Sequence, residues 1–262
     1  MSAFHKLTIH FETSAQLPPP YSYQYVLTLT TSAQFLNVNL QLTYTHRDEL
    51  DSDEIEAEGF TENDDFKWKG SLEKVWRDEL EKLIDKTKLA ENAIQDEEKD
   101  ILYLSVESNS GESVKPGSLE KGQPKNLTDW YYLAQELLQA IFETSEKERP
   151  FELHILDTTS QGSREAVLTA SFRSRNAQVK RVVDGKSSLR FYPWHDLPSL
   201  MEVLYAADWL TDIAATQKPK RNGLYVNPGD GLWYEWGKQI VEPGKGGKSL
   251  AKIKELIAGL FN

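Results

Sequence analysis

Apolar and polar residues alternate at the start of the chain, which is the pattern of a half-buried β-strand. Along residues 4–12 one face of such a strand is apolar and consists of Leu7, Ile9 and Phe11. Two segments rich in Val, Leu, Thr and Tyr follow at residues 21–31 and 35–45, separated by a short polar break. The pattern predicts an N-terminal strand followed by an antiparallel pair of strands.

Further strand patterns lie downstream. A short apolar run at residues 101–106 is typical of a buried strand. Four more candidates follow one another at residues 151–157, 165–175, 177–183 and 188–192. Residues 224–236 contain the turn-forming sequence Pro-Gly-Asp-Gly at their centre, which predicts a hairpin.

Helical spacing of apolar residues marks four segments between these strands. The first spans residues 71–86 and has Ser71 as its candidate N-cap, without the Glu that would complete a capping box. Thr128 and Asp196 are candidate N-caps of the second and third helices. The fourth segment, residues 249–261, closes the chain.

Together these elements predict an α+β fold of antiparallel sheets with helices packed on one face, in two β-rich halves. The predicted division is 1–107, a linker or long loop at 108–126 that is rich in turn formers, and 127–262. One continuous domain is the alternative. Each half has strands followed by a helix, and the second strand of each contains Val-Leu-Thr, at residues 26–28 and 167–169. This similarity raises internal duplication as an interpretation.

Composition narrows the class of protein. The chain has no cysteine, so disulfides, thiolate nucleophiles and cysteine-ligated metal sites are excluded. Hydrophobic residues make up 39% and charged residues 27%, which favours a folded, soluble protein over a disordered one. Because no apolar leader or run of about 18 apolar residues occurs, we expect a cytoplasmic protein without a membrane span.

Charge is distributed very unevenly. The formal net charge is -11, yet residues 48–112 alone have 22 acidic against 8 basic residues, which is -14. Residues 164–190 have seven basic and two acidic residues, a local +5. Such segregation indicates charged contact surfaces.

The basic segment is predicted to form a sheet whose polar face carries cations. If Arg173 and Arg175 face outward with cations from the following strands, that face suits phosphates or carboxylates. The candidate binding residues are Arg173, Arg175, Lys180, Arg190, Tyr192 and Trp194. A protein partner, single-stranded nucleic acid and a merely solvated face all fit this pattern, although an isoelectric point near 5.0 is unusual for a nucleic-acid binder.

The acidic segment is predicted to be a solvated loop at residues 48–65. Residues 51–56 begin with the alternation of a calcium loop, but the glycine and the final glutamate of an EF-hand are missing. Asp51, Asp53 and Glu54 are the candidate partner-facing residues. The remaining functional interpretation is an acidic surface for a basic partner or for the chain's own basic sheet.

Signatures of catalysis are weak. His195 beside Asp196 is the best acid/base candidate, and the five histidines lack metal-ligand spacing. The Gly-Lys-rich loop at 244–249 departs from a phosphate-binding loop, because Glu242 stands where its first glycine belongs. We therefore predict no catalytic residue, cofactor or metal.

The leading hypothesis is a non-enzymatic binding or assembly protein, which contacts a protein partner or a second copy. A single-stranded nucleic-acid binder is the alternative, and a hydrolase with a scattered active site comes third.

Overall fold

The computed structural model describes residues 4–32, 34–90, 98–107, 121–244 and 249–261. The chain divides into two compact units, Met1–Lys147 and Glu148–Asn262. Each unit has its own antiparallel sheet, so the predicted α+β class with two β-rich halves is confirmed.

The first unit contains a sheet of seven strands in the order β4-β3-β2-β1-β6-β7-β5. The strands are β1 (Lys6–Glu12), β2 (Tyr23–Thr31), β3 (Leu36–Tyr44), β4 (Phe66–Leu72), β5 (Leu89–Ala90), β6 (Ile101–Glu107) and β7 (Lys121–Pro124). Alternation along the strands gives the sheet one buried face and one polar face. Asn37, Asn39 and Lys69 are exposed on the polar face.

Three α-helices belong to the first unit: α1 (Ser52–Ala57), α2 (Lys74–Lys86) and α3 (Leu127–Thr144). A 3-10 turn, Arg47–Glu49, precedes α1. The apolar stripes of α2 and α3 supply Trp76 and Trp130, which are both fully buried with the apolar side chains of the sheet. Burial of such large aromatic side chains supplies much of the hydrophobic stabilisation of a domain.

The second unit contains a sheet of six strands in the order β11-β10-β9-β8-β13-β14, and a separate pair, β12-β15. The strands are β8 (Phe151–Thr159), β9 (Gly162–Ser171), β10 (Asn176–Val183), β11 (Lys186–Tyr192), β12 (Asp208–Trp209), β13 (Gly223–Asn227), β14 (Tyr234–Glu235) and β15 (Ile240–Val241). Its helices are α4 (Leu197–Tyr205) and α5 (Ser249–Phe261), with 3-10 turns at Trp194–Asp196 and Thr211–Ile213. The buried side chains of α5, Ile253, Ile257 and Leu260, form its apolar stripe.

The two units share one topology. In each, four consecutive strands form a meander, a helix follows, and a later strand pairs antiparallel with the first strand of the meander. Thus β4-β3-β2-β1-β6-β7 in the first unit corresponds to β11-β10-β9-β8-β13-β14 in the second. A shared order of this length is what an internal duplication produces.

Several boundaries differ from the sequence predictions. Residues 66–72 form β4, and α2 begins at Lys74 after an N-cap at Glu73, so the prediction that Ser71 caps this helix is wrong. Asn126, rather than Thr128, is the N-cap of α3. Strand β9 ends at Ser171, four residues before its predicted end, because the chain turns at residues 172–175 to pair with β10.

The segment predicted as a linker, 108–126, lies largely outside the described residues. Its described end includes β7, which pairs with β6 inside the first sheet. The division between the two units falls later, after Lys147, and leaves α3 in the first unit.

Candidate binding surfaces

The acidic segment is an insertion between β3 and β4. Residues 48–65 contain ten acidic residues and no basic residue. At the corresponding place in the second unit, β10 and β11 are joined by the two-residue turn Asp184-Gly185, whose residues have φ of 51° and 74°. Positive φ at both positions is the geometry of a tight hairpin. Most of the chain's excess negative charge therefore sits on one elaborated hairpin connection.

A single arginine holds this insertion together. The side chain of Arg47 is only 8% exposed, and its Nη1 donates to Asp64 Oδ2 at 2.7 Å and to the Thr61 carbonyl. Its guanidinium also lies 3.8 Å from the centre of the Tyr44 ring and 4.9 Å from that of Phe60. A planar cation of this kind can stack on rings and donate hydrogen bonds at the same time. The insertion is consequently an ordered structure.

This environment shifts the pKa of the Asp64 carboxyl group. Burial alone would raise the pKa of its carboxyl group, but the hydrogen bonds from Thr61 and from the Arg47 guanidinium outweigh burial and lower the pKa below 3.8. The carboxylate therefore stays charged opposite Arg47, and its contribution to stability is lost only as the pH falls through that lowered pKa.

The three acidic candidates named from the sequence have different roles. Asp51 caps α1: its Oδ1 accepts from the Glu54 backbone N–H at 3.0 Å, while Glu54 Oε2 accepts from the Asp51 N–H at 3.1 Å. These two side chains therefore stabilise the helix end as a capping box. Asp53 is exposed, as are Asp48 and Glu56, and in the described part of the chain no hydrogen bond or ion pair engages these three side chains.

The basic candidates do not share one surface. Arg173 and Arg175 lie in the turn after β9, where the Arg175 guanidinium is 5.5 Å from the centre of the Trp194 ring. Lys180 is exposed on β10, on the same face as its register partner Leu189. Arg190 pairs with buried Val179 and therefore faces the opposite side, and Tyr192 pairs with buried Ala177 on that same side. The prediction that Arg190 shares the outer face with Lys180 is wrong.

Three arginines of the basic segment are instead used within the second unit. Arg181 Nη1 donates to the Phe261 carbonyl at 2.9 Å, and Arg190 Nη2 donates to the Gly259 carbonyl at 2.7 Å. Both carbonyls lie in the last turn of α5, where cations stabilise the negative end of the helix dipole. Arg164 forms an ion pair with Asp157 at 2.8 Å. Much of the local positive charge thus has a structural function.

The exposed side of β11 carries apolar residues that the sequence prediction missed. Leu189 is 66% exposed and Phe191 is 79% exposed, and β11 is the edge strand of its sheet. The alternation of Leu189, Arg190 and Phe191 was visible in the sequence. However, alternation alone does not tell which set faces the helices, and polar residues ordinarily face water.

The remaining candidates show little organisation for catalysis. The side chain of His195 is 84% exposed, with Nε2 at 3.3 Å from Asp196 Oδ1. Asp196 occupies the N-cap of α4 without making a capping hydrogen bond, contrary to the sequence prediction. The described residues contain no group of three His, Asp or Glu side chains that could hold a metal ion. Most of the Gly-Lys-rich loop, residues 245–248, falls outside the described residues.

Among the described residues, no helix is both long and apolar enough to cross a membrane. Searches against family models, curated proteins and solved structures found no match.

Proposed function

We propose that the chain is a non-enzymatic binding protein whose acidic insertion docks on a basic surface of a protein partner. The observation that carries the proposal is the ordered insertion of ten acidic and no basic residues, at a position where the second unit has a two-residue turn. Because the second unit joins the equivalent strands with two residues, the sheet of the first unit does not need the insertion in order to form.

The charge of the insertion favours association with a cationic surface. Complementary charge raises the rate of encounter and selects among partners, while exposed charges are screened over about 8 Å at physiological salt. Within the insertion, Asp48, Asp53 and Glu56 are the exposed carboxylates for which the structure shows no internal partner, so they are the best candidates for direct contact. Asp51 and Glu54 would support binding indirectly, through α1.

The experiment compares proteins captured from an extract of the cells that express the chain. The bait is the wild-type chain, the triple variant Asp48→Asn/Asp53→Asn/Glu56→Gln, or a control triple variant, Glu202→Gln/Asp208→Asn/Asp212→Asn. The control removes three exposed carboxylates from the second unit, so both variants change net charge equally. We expect a basic protein that wild type and control capture and the first variant loses.

Binding of that protein, once purified, is then measured by calorimetry at two salt concentrations. Loss of three exposed contacts should weaken binding about tenfold, since an exposed pair contributes about 0.5 kcal/mol and about 1.4 kcal/mol corresponds to a factor of ten. Equal capture by all three baits would contradict the proposal. A second copy of the chain as the captured protein would identify the interaction as self-association, which sedimentation would then confirm.

One observation favours a second candidate function, single-stranded nucleic-acid binding. Phe191 lies opposite Gln178 in the register of β10 and β11, next to the Lys180–Leu189 pair, on an exposed face. An exposed ring beside a cation is suited to base stacking.

The test is the fluorescence anisotropy of a labelled 20-nucleotide oligothymidylate at physiological salt. Phe191→Ser should weaken binding about tenfold, given the energy of one stacked base. Tyr132→Ser, which alters another exposed aromatic residue in the first unit, should have no effect. Absence of binding by the wild type would remove this candidate.

A further inference from the structure

The common strand order allows the two sheets to be compared row by row. The shared Val-Leu-Thr places Leu27 of β2 and Leu168 of β9 at the same point of the fold. From Leu27 the cross-strand register leads through Leu40 to Trp68 on the edge strand β4. From Leu168 it leads through Val179 to Arg190 on β11. Arg190 therefore stands where the first unit has a tryptophan.

Aromatic side chains fill this region in the first unit. The Trp68 ring lies directly over Gly70, where a Cβ atom would stand 2.3 Å from it. The Phe66 and Phe142 rings are 5.4 Å apart, and Lys147 Nζ lies 4.6 Å from the centre of Phe66. Phe66 of β4 and Phe142 of α3 thus occupy the space between the edge strand and that helix as a tilted pair of rings.

The second unit has an open cleft in the equivalent place. It lies between β11, α4 and α5 and has a volume of about 470 Å³. Such a volume is within the range of small-molecule sites. Its apolar walls come from Tyr192, Pro193, Val203 and Leu256. Its polar groups come from Arg190, Asp196, Ser199, Lys252 and Glu255.

Arg190 is the polar group with an unmet hydrogen-bond requirement. Its Nη2 donates to the Gly259 carbonyl at 2.7 Å, whereas its Nε is buried and has no partner among the described residues. Because this Nε has almost no exposed surface, a ligand in the cleft would meet the rest of the guanidinium group, whose N–H donors make their strongest hydrogen bonds with charged oxygen acceptors. Lys252 adds a second cation, and Asp196 and Glu255 bring the formal charge of the lining to zero. The cleft therefore does not attract a polyanion, and the planar guanidinium of Arg190 is its best group for pairing with a single carboxylate.

We propose that this cleft binds a small amphipathic carboxylate, with its carboxylate on Arg190 and its apolar part against Val203 and Leu256. This inference is independent of the function proposed for the acidic insertion, since every residue involved belongs to the second unit. The binding requires the charge of the carboxylate and the apolar body together.

Isothermal titration calorimetry with the full chain and three probes of equal length tests the inference. The probes are octanoate, octylammonium and 1-octanol. Octanoate should bind at least tenfold more tightly than the other two, because only octanoate offers a charged acceptor to Arg190. Equal affinity for the three probes, or no binding of octanoate, would overturn the proposal.

Variants locate the binding within the cleft. Val203→Phe fills the apolar wall without changing charge, and Arg190→Gln removes the cation; each should weaken octanoate binding about tenfold. Lys186→Gln removes a cation from the same strand outside the cleft and should leave affinity unchanged. Because Arg190 also holds the end of α5, circular dichroism must show that its variant is folded. If the Arg190→Gln variant does not fold, the Val203→Phe variant alone tests the proposal. An unchanged affinity of Val203→Phe for octanoate overturns the proposal.

Discussion

The two units have the same strand order, yet they differ at the edge of the four-stranded meander. In the first unit, the connection between β3 and β4 is enlarged into an acidic insertion, and the space beside the edge strand is filled with aromatic rings. In the second unit, a two-residue turn joins β10 to β11, and a cleft lies beside the edge strand. The comparison teaches that two sheets of one strand order can differ mainly in what is built at their edge.

Charge follows the same division. The insertion concentrates negative charge on one connection, with Arg47 buried inside it as its counter-ion. In the second unit, the guanidinium groups of Arg181 and Arg190 bind the carbonyls at the end of α5. Arginine thus organises acidic residues in one unit, through buried Arg47, and a helix terminus in the other, through the partly exposed Arg181 and Arg190.

The largest expected effect comes from removing Arg47. Arg47→Leu leaves Asp64 partly buried without its cation and should destabilise the first unit by about 3 kcal/mol. The matched change in the second unit, Arg164→Leu, breaks an ion pair whose arginine is 49% exposed and should cost less than about 1 kcal/mol. Urea denaturation, with hydrogen exchange to assign each loss to a unit, measures both. Equal losses would show that Arg47 is not the anchor of the insertion.

Removing the whole insertion should cost less than removing its arginine. Replacement of residues 43–65 by Asp-Gly removes the insertion with Arg47 and the last two residues of β3. It would connect Leu42 to Phe66, which are register partners, as Asp184-Gly185 connects β10 to β11. Both partners of the Arg47–Asp64 pair leave together, so no buried charge is stranded. Loss of the buried Ile55 side chain should destabilise the first unit by at most about 2 kcal/mol. A shorter connection costs less entropy to close, and this gain should offset part of the loss.

The same denaturation experiment decides this prediction. A shortened chain that retains its strand content and stability within that limit confirms that the insertion is an addition to the duplicated sheet. An unfolded first unit would instead show that the insertion is part of the core of its unit.

The smallest expected effect concerns the two helix caps. Asp51→Ala removes a capping box from α1 and should destabilise the first unit by about 1 kcal/mol. Asp196→Ala should change stability by less than about 0.5 kcal/mol, because Asp196 makes no capping hydrogen bond in α4. Thermal denaturation of both variants measures this difference. A larger loss for Asp196→Ala would contradict the assignment of caps.

The strands were predictable where alternation was regular. β1, β2, β3 and β6 were found within two residues of their predicted ends, and so were β10 and β11. β4 was missed although Phe66, Trp68 and Leu72 alternate with Lys67, Lys69 and Ser71. Gly70 interrupts the apolar set, and Ser71 fits a helix cap equally well, so local signals conflicted. With β4 absent, the similarity of the two halves rested on little more than a tripeptide.

The candidate sites were harder to predict because they depend on which face of a strand is covered. The sequence identified the basic segment correctly as strands of one sheet, but the binding surface considered there required Arg190 on the outer face with Lys180, which the register excludes. Only the three-dimensional structure reveals that the end of α5 supplies acceptors for an inward-facing guanidinium. Similarly, Arg47 was a lone cation beside an acidic run, and its burial depends on Tyr44 and Phe60 from different segments.

The exposed edge strand β11 has a consequence for the behaviour of the protein in concentrated solution. An edge strand offers free N–H and C=O groups to any other strand, and exposed apolar side chains stabilise such pairing further. Leu189 and Phe191 supply that apolar surface, but Lys186 and Arg190 are on the same strand. Arg190 is engaged with the end of α5, whereas Lys186 is exposed, so two copies that paired edge to edge would bring two exposed lysines onto one strand pair. We expect Lys186 to oppose aggregation through this edge.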